Sequence, residues 1–106
     1  MRLEGEQTLL RIYLRNTDKQ GWFAPPVAES LVQRARRDGL AGATVLRGVL
    51  GLDITGRLLE SSPWSLVDHV PVLVEIVDAP QAVGRFLAVV EQTVPEGLAT
   101  LERAHV

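Results

Sequence analysis

Residues 39–51 read Gly-Leu-Ala-Gly-Ala-Thr-Val-Leu-Arg-Gly-Val-Leu-Gly, in which four glycines and one arginine interrupt a mostly aliphatic stretch. The segment before it ends Arg-Ala-Arg-Arg-Asp and has helical character, so Gly39 suits the left-handed position that closes a helix. The residues from Ala43 to about Leu52 then predict a strand. A helix, a glycine turn and a strand that leads into a long polar segment together indicate an opening in which something small binds.

Three further strands are predicted around this stretch. Residues 8–15 alternate apolar and polar side chains, which is typical of a half-buried strand. Residues 70–77 are mostly apolar and predict another strand, and residues 98–103 predict the last one. Residues 53–69 have no clean period, and a loop of this length in a compact domain is usually functional or disordered.

Two amphipathic helices separate the strands. The first follows Pro25-Pro26, and the second begins near Asp78, which we expect to be its N-cap, with Pro80 in the first turn. The order β-α-β-β-α-β predicts an α+β fold, a ferredoxin-like sandwich in which two helices cover one face of a four-stranded antiparallel sheet.

The composition indicates one soluble domain. The chain has 106 residues, of which 46% are hydrophobic, and we expect a loose lead-in over residues 1–7 and a single domain over residues 8–106. The net charge of −2 gives no electrostatic reason to bind nucleic acid, and no apolar run is long enough for membrane insertion. With no cysteine and no apolar leader, we predict a cytoplasmic protein.

The uncovered face of such a sheet favours assembly with further copies of the chain. We expect this face to draw on Leu9, Tyr13, Val45, Val72 and Val74. Open sheets commonly bury such a face against themselves, so a homo-oligomer is predicted.

The stretch from Pro25 to Gly51, with the segments Leu66–Pro71 and Val74–Asp78, resembles the DUF190 family, an uncharacterised branch of the PII-like superfamily. The resemblance spans about residues 9–101. It implies a homotrimeric signalling fold that binds adenine nucleotides in clefts between subunits. It also implies a long T-loop, at about residues 52–67 here, that regulates a target protein, either a membrane protein or an enzyme.

The ligand residues implied by the resemblance are only partly present. Thr44 matches the threonine of the PII pattern, and Gly51 matches the first glycine of a Gly-x-Gly motif whose second position is Asp53 here. The Gly-Asp-Gly-Lys loop of PII proteins is replaced by Val94–Gly97, which has no lysine, so arginines are candidates for the missing charge. The resulting candidates for binding a nucleotide or other small anion are Thr44, Arg47, Gly48, Gly51, Asp53, Arg57 and Arg103.

Several alternatives remain open at this point. Arg47 either contacts a ligand or forms an ion pair, for which Glu75 on the adjacent strand is the natural partner. The trimer either binds a ligand or is a structural or protein-interaction assembly without one; a cofactor-free monooxygenase is a third reading. The two histidines, His69 and His105, lack a metal-site spacing, and no nucleophile motif is present. We therefore predict no catalytic residues, no metal and no cofactor.

Overall fold

The computed structural model describes residues 3–19, 23–61 and 69–106, and it has the predicted α+β ferredoxin-like architecture. The elements are β1 (Glu6–Arg15), α1 (Val27–Arg37), β2 (Gly42–Arg47), β3 (Leu50–Leu52), β4 (Leu58–Glu60), β5 (Pro71–Asp78), α2 (Pro80–Thr93) and β6 (Leu98–His105). A four-stranded antiparallel sheet has the strand order β2-β5-β1-β6, and β3 and β4 form a separate hairpin.

The core lies between the sheet and the two helices. Alternate residues of the central strands point toward the helices, because side chains of a strand alternate between the two faces. Phe86 of α2 and Leu31 of α1 are buried against them. The strand residues in this cluster are Leu10, Ile12, Leu14, Val72, Val74 and Ile76. No helix among the described residues has the length and apolarity that a bilayer crossing requires.

Helix α1 ends as predicted, at a left-handed glycine. Gly39 has φ +75°, its N–H donates to the carbonyl oxygen of Arg36, and the N–H of Leu40 donates to that of Ala35. These two bonds form a Schellman motif, in which a left-handed residue lets the chain turn back and satisfy the last carbonyl groups of the helix. The turn directs the chain from α1 into β2.

Helix α2 does not begin as predicted. Its N-cap is Ala79 rather than Asp78, and Pro80 is its first residue. The Asp78 carboxylate is buried and accepts hydrogen bonds from the N–H groups of Ala41 and Ala79, at 2.8 and 2.6 Å. Asp78 therefore ties the end of β5 to the start of β2, and the predicted capping role was wrong.

Two predicted boundaries also change. Strand β1 begins at Glu6, so residues 6–7 belong to the sheet and not to the predicted lead-in. The predicted strand over residues 43–52 is two strands, because the chain leaves the main sheet after Arg47 and re-forms as β3. Part of the predicted loop is ordered as β4, while residues 62–68 lie outside the described part of the chain.

The face of the sheet away from the helices is uncovered within one chain. Leu9 and Tyr13 lie on it as predicted, but Val45, Val72 and Val74 lie on the helix side, because each shares the face of a core residue in the strand register. Near the middle of the open face, Arg11 of β1 forms ion pairs with Glu102 of β6 and, at 4.0 Å, with Glu75 of β5. We call these three residues the open-face triad.

Candidate functional site

The β3–β4 hairpin is held against the main sheet where Gly48 meets Pro71. The N–H of Gly48 donates to the carbonyl oxygen of Pro71 at 2.8 Å. A Cβ atom at position 48 would lie 2.7 Å from Pro71 Cγ, closer than carbon atoms pack. Gly48 thus permits a close backbone approach within the chain, and this approach determines where the hairpin leaves the sheet.

The turn of the hairpin is organised by the carboxylate of Asp53. Its Oδ1 accepts hydrogen bonds from the Thr55 N–H at 2.9 Å, the Thr55 hydroxyl at 2.5 Å and the Arg57 N–H at 2.9 Å. Gly56, with φ +84°, provides the left-handed residue that this tight turn requires, and its N–H donates to the Asp53 carbonyl oxygen. The hydrogen bond from the Thr55 hydroxyl, the N–H groups of Arg57 and Thr55, and the charge of Arg15 lower the pKa of Asp53.

Between the hairpin and the main sheet lies a cleft of about 490 Å³. Its walls are the last residues of β1 and β2, the first residues of β5 and β6, and residues of the hairpin, and most of its lining is aliphatic. The volume falls in the range of about 300–1,000 Å³ that is usual for small-molecule sites.

Arg15 is the centre of a charged network at one side of this cleft. Its Nη2 lies 2.8 Å from Asp18 Oδ1 and 3.1 Å from Glu96 Oε2, and its Nη1 lies 3.7 Å from Asp53 Oδ2. The hydrogen bond to Asp18 and the nearby carboxylates raise the pKa of Arg15, so the guanidinium is always charged. This network links the end of β1 to the hairpin and to the loop before β6.

The structure brings together four of the seven predicted ligand residues. Arg47, Gly48, Gly51 and Asp53 all line the cleft. The predicted ion pair of Arg47 with Glu75 does not form within the chain. Arg47 faces Val72 in the strand register, and Glu75 lies three residues further along β5 and therefore on the opposite face.

The other three predicted residues lie outside the cleft of a single chain. Thr44 is on the open face opposite Glu75, and Arg57 is exposed at the hairpin, where its backbone N–H serves the turn. Arg103 pairs with Thr8, five residues along β6 from Leu98 at the cleft, a separation of about 17 Å.

Sequence reasoning missed Arg15, Asp18 and Glu96. Glu96 is distant in sequence from the other two, and none of the three stands in a motif that marks it. The Asp18 carboxylate also accepts the N–H of Arg15 at 2.9 Å, which is a local turn pattern. An aspartate in the turn directly after a strand was the one signal available in the sequence, and only the structure shows that it is buried. Among the described residues, no group of three His, Asp or Glu side chains is arranged to hold a metal ion.

Comparison with known proteins gives a family match and solved structures of similar fold. A family model described as "Uncharacterized ACR, COG1993" (DUF190) matches residues 7–106. A UPF0166 protein of Aquifex aeolicus (strain VF5) is 33% identical over 101 residues, 95% of this chain and 93% of the relative. A UPF0166 protein of Methanocaldococcus jannaschii is 29% identical over 99 residues, 92% and 89% of the two chains.

Solved structures show the same fold. One is CPII, a nitrogen regulatory PII-like protein from Thiomonas intermedia K12, bound to ADP, AMP and bicarbonate. It superposes with a TM-score of 0.65 at 16% identity and covers 95% of this chain and 88% of its own. A second structure, of CPII with ADP and bicarbonate, has a TM-score of 0.60 at 18% identity and the same coverage. The chain described here thus has a PII-like fold.

Proposed function

This chain belongs to the DUF190 family, and on that premise we propose that it is a non-enzymatic, PII-like signalling or adaptor protein. In this proposal the chain forms a homotrimer, and a small anion, with adenine nucleotides as the first candidates, binds at the cleft between the hairpin and the sheet. The bound ligand changes the hairpin, and the hairpin engages or releases a target protein.

The observation that carries the proposal is the position of Arg47 in the cleft. Its side chain is exposed, and among residues 3–19, 23–61 and 69–106 it has no ion pair or hydrogen bond. Arg15, in contrast, is already surrounded by three carboxylates. Arg47 is therefore the cleft cation that is available to an anion.

Trimer formation is supported by the apolar side chains that a single chain leaves exposed. Tyr13, Leu46 and Leu98 lie on the open face of the sheet around the mouth of the cleft, and about half of each side chain is accessible. Burial of such a face removes apolar surface from water and stabilises an assembly. Thr44 and Arg103 lie outside the cleft of their own chain. In an assembly they would reach a ligand bound in the cleft of a neighbouring copy.

Engagement of a target through the hairpin is supported by its composition. Five apolar residues in the hairpin and directly before it are more than half exposed: Val49, Leu50, Leu52, Ile54 and Leu58. Exposed aliphatic groups on a projecting segment are typical of surfaces that bind another protein.

Titration calorimetry of the assembled protein tests the ligand half of this proposal. The ligands are AMP, ADP, ATP and bicarbonate, chosen because CPII was solved with three of them. We expect binding by the native protein and a loss of about tenfold or more in Arg47→Gln, since a hydrogen-bonded charge pair contributes about 1.5–3 kcal/mol. Arg36→Gln, on the exposed side of α1 away from the cleft, is the matched control and leaves binding unchanged.

Sedimentation of the unliganded protein tests the assembly, with a trimer as the expected result. A monomer at micromolar concentration contradicts the proposed homotrimer. Absence of binding heat from an intact trimer contradicts the ligand half of the proposal and leaves its assembly half standing.

A second function is favoured by one specific observation, the excess of carboxylates at the cleft. The cleft is lined by three carboxylates, Asp18, Asp53 and Glu96, and by two cations, Arg15 and Arg47. This net negative charge repels a further anion. The alternative is a structural or protein-interaction trimer without a ligand. It predicts an intact trimer, no calorimetric binding and a target interaction that nucleotides do not change.

A further inference from the structure

The two oxygen atoms of Asp53 have different surroundings. Oδ1 accepts three hydrogen bonds from the turn of the hairpin, two from backbone N–H groups and one from the Thr55 hydroxyl. Oδ2 lies on the side of Arg15, and both residues line the cleft. The Asp53 carboxylate therefore connects the backbone of the hairpin to Arg15 at the side of the cleft.

Oδ2 is buried without a hydrogen-bond donor among the described residues. The Asp53 side chain is only 7% exposed, and Arg15 Nη1 lies 3.7 Å from Oδ2, which is beyond hydrogen-bond distance. The nearby charge of Arg15 compensates the carboxylate, but Oδ2 still lacks a hydrogen-bond donor and can accept one that another molecule brings. Arg15 is already engaged by Asp18 and Glu96, at 2.8 and 3.1 Å.

We propose that Asp53 Oδ2 accepts a hydrogen bond from the ligand and thereby transmits occupancy of the cleft to the hairpin. The cleft would take an anion that carries its own N–H or O–H group. The anionic part would pair with Arg47, and the N–H or O–H group would donate to Oδ2. Nucleotides, through ribose or amino groups, and bicarbonate, through its hydroxyl group, both have this chemistry. The inference rests on the proposed function, because it requires a ligand in this cleft.

Whether Asp53→Asn tightens or weakens ligand binding distinguishes this role from simple repulsion of anions. If the Asp53 carboxylate only repels anions, Asp53→Asn removes the repulsion and tightens binding. If Oδ2 accepts a donor, Asp53→Asn weakens binding, because the three donors of the turn keep the amide oxygen and the amide nitrogen then faces the donor of the ligand.

The experiment is calorimetric titration of the native protein, Asp53→Asn and Thr55→Ala with AMP, ADP and bicarbonate in separate arms. We expect Asp53→Asn to lose about tenfold or more in affinity for each ligand that the native protein binds. Thr55→Ala removes one donor to Oδ1 and leaves Oδ2 unchanged, so its affinity stays within about threefold of the native value.

The outcomes separate the inference from the proposed function. Equal or tighter binding by Asp53→Asn overturns the inference and leaves the ligand site standing. No binding by the native protein overturns both.

Amide hydrogen exchange of the native protein tests the transmission without a variant. We expect bound AMP to slow exchange of the Thr55 and Arg57 N–H groups, which donate to Oδ1. If AMP binds and their exchange is unchanged, Asp53 does not transmit occupancy to the hairpin.

Discussion

The contact between Gly48 and Pro71 gives a direct test of how the hairpin is placed. In Gly48→Ala the new Cβ would lie 2.7 Å from Pro71 Cγ and 3.4 Å from the Pro71 carbonyl oxygen. The first distance is about 0.8 Å short of the 3.5 Å at which carbon atoms begin to pack favourably. The backbone cannot retreat without stretching the 2.8 Å hydrogen bond from the Gly48 N–H to that carbonyl.

Overpacking of this kind costs about 1–3 kcal/mol of unfolding free energy. Each kcal/mol lowers Tm by roughly 4 °C or more in a domain of this size. Thermal unfolding followed by circular dichroism, at one protein concentration throughout, measures the loss. The double variant Gly48→Ala/Pro71→Ala removes the Cγ atom, and we expect it to recover at least about 1 kcal/mol, which is a typical coupling energy for residues in contact.

Gly84→Ala is the matched control. Gly84 lies in the interior of α2, and a Cβ there has no atom within 4 Å. Since alanine favours the helix over glycine by about 0.5–1 kcal/mol, this variant unfolds at a higher temperature than the native protein. A Gly48→Ala variant as stable as the native protein, or a double variant that recovers nothing, would refute the steric explanation.

Three further predictions concern the carboxylates and the core. Asp78→Ala removes a buried carboxylate that accepts the part-buried N–H of Ala41 after α1. We expect a loss of about 1–3 kcal/mol in urea unfolding, and a loss below about 0.5 kcal/mol would contradict this role. Hydrogen bonds hold the pKa of Asp53 below 3.8, so its stabilisation of the hairpin is complete above that pH and is lost as the pH falls through the native pKa. A ¹³C NMR titration of Asp53 measures this pKa, and a midpoint at or above 3.8 contradicts the prediction. Phe86→Ala empties a core position and costs about 3–5 kcal/mol, while Phe23→Ala, at a side chain that is 95% exposed, stays within about 0.5 kcal/mol of the native protein; equal losses in the two would contradict the placement of the core.

The local features of the fold could be predicted from sequence because their causes are local. Alternation along residues 8–15 follows from the two faces of a strand, and Gly39 follows from the geometry of a helix end. The break after Arg47 could not be predicted, because it falls where β2 reaches the start of its partner strand at Pro71, which has no N–H to continue the pairing and lies more than twenty residues later. The strand β4 was missed because its three residues are too few to show a period.

In the candidate site too, residues that are close in sequence could be predicted, whereas residues that only folding brings together could not. Arg47, Gly48, Gly51 and Asp53 stand close together in one stretch of sequence, so a motif could point to them. The partners of Arg15 come from a turn, a hairpin and a loop before the last strand, and only folding brings them together. The strand register places Arg47 opposite Val72 and away from Glu75, and this pairing becomes visible only when β2 and β5 lie side by side.

The open-face triad bears on how the sheet avoids misfolding. Arg11, Glu75 and Glu102 come from three adjacent strands, and their charges meet in one register only. A slip of β1 by a single residue would turn Arg11 inward, beneath the helices and beside aliphatic side chains with no carboxylate at hand. A buried unpaired guanidinium costs several kcal/mol, so the triad favours the native pairing over this nearest alternative register.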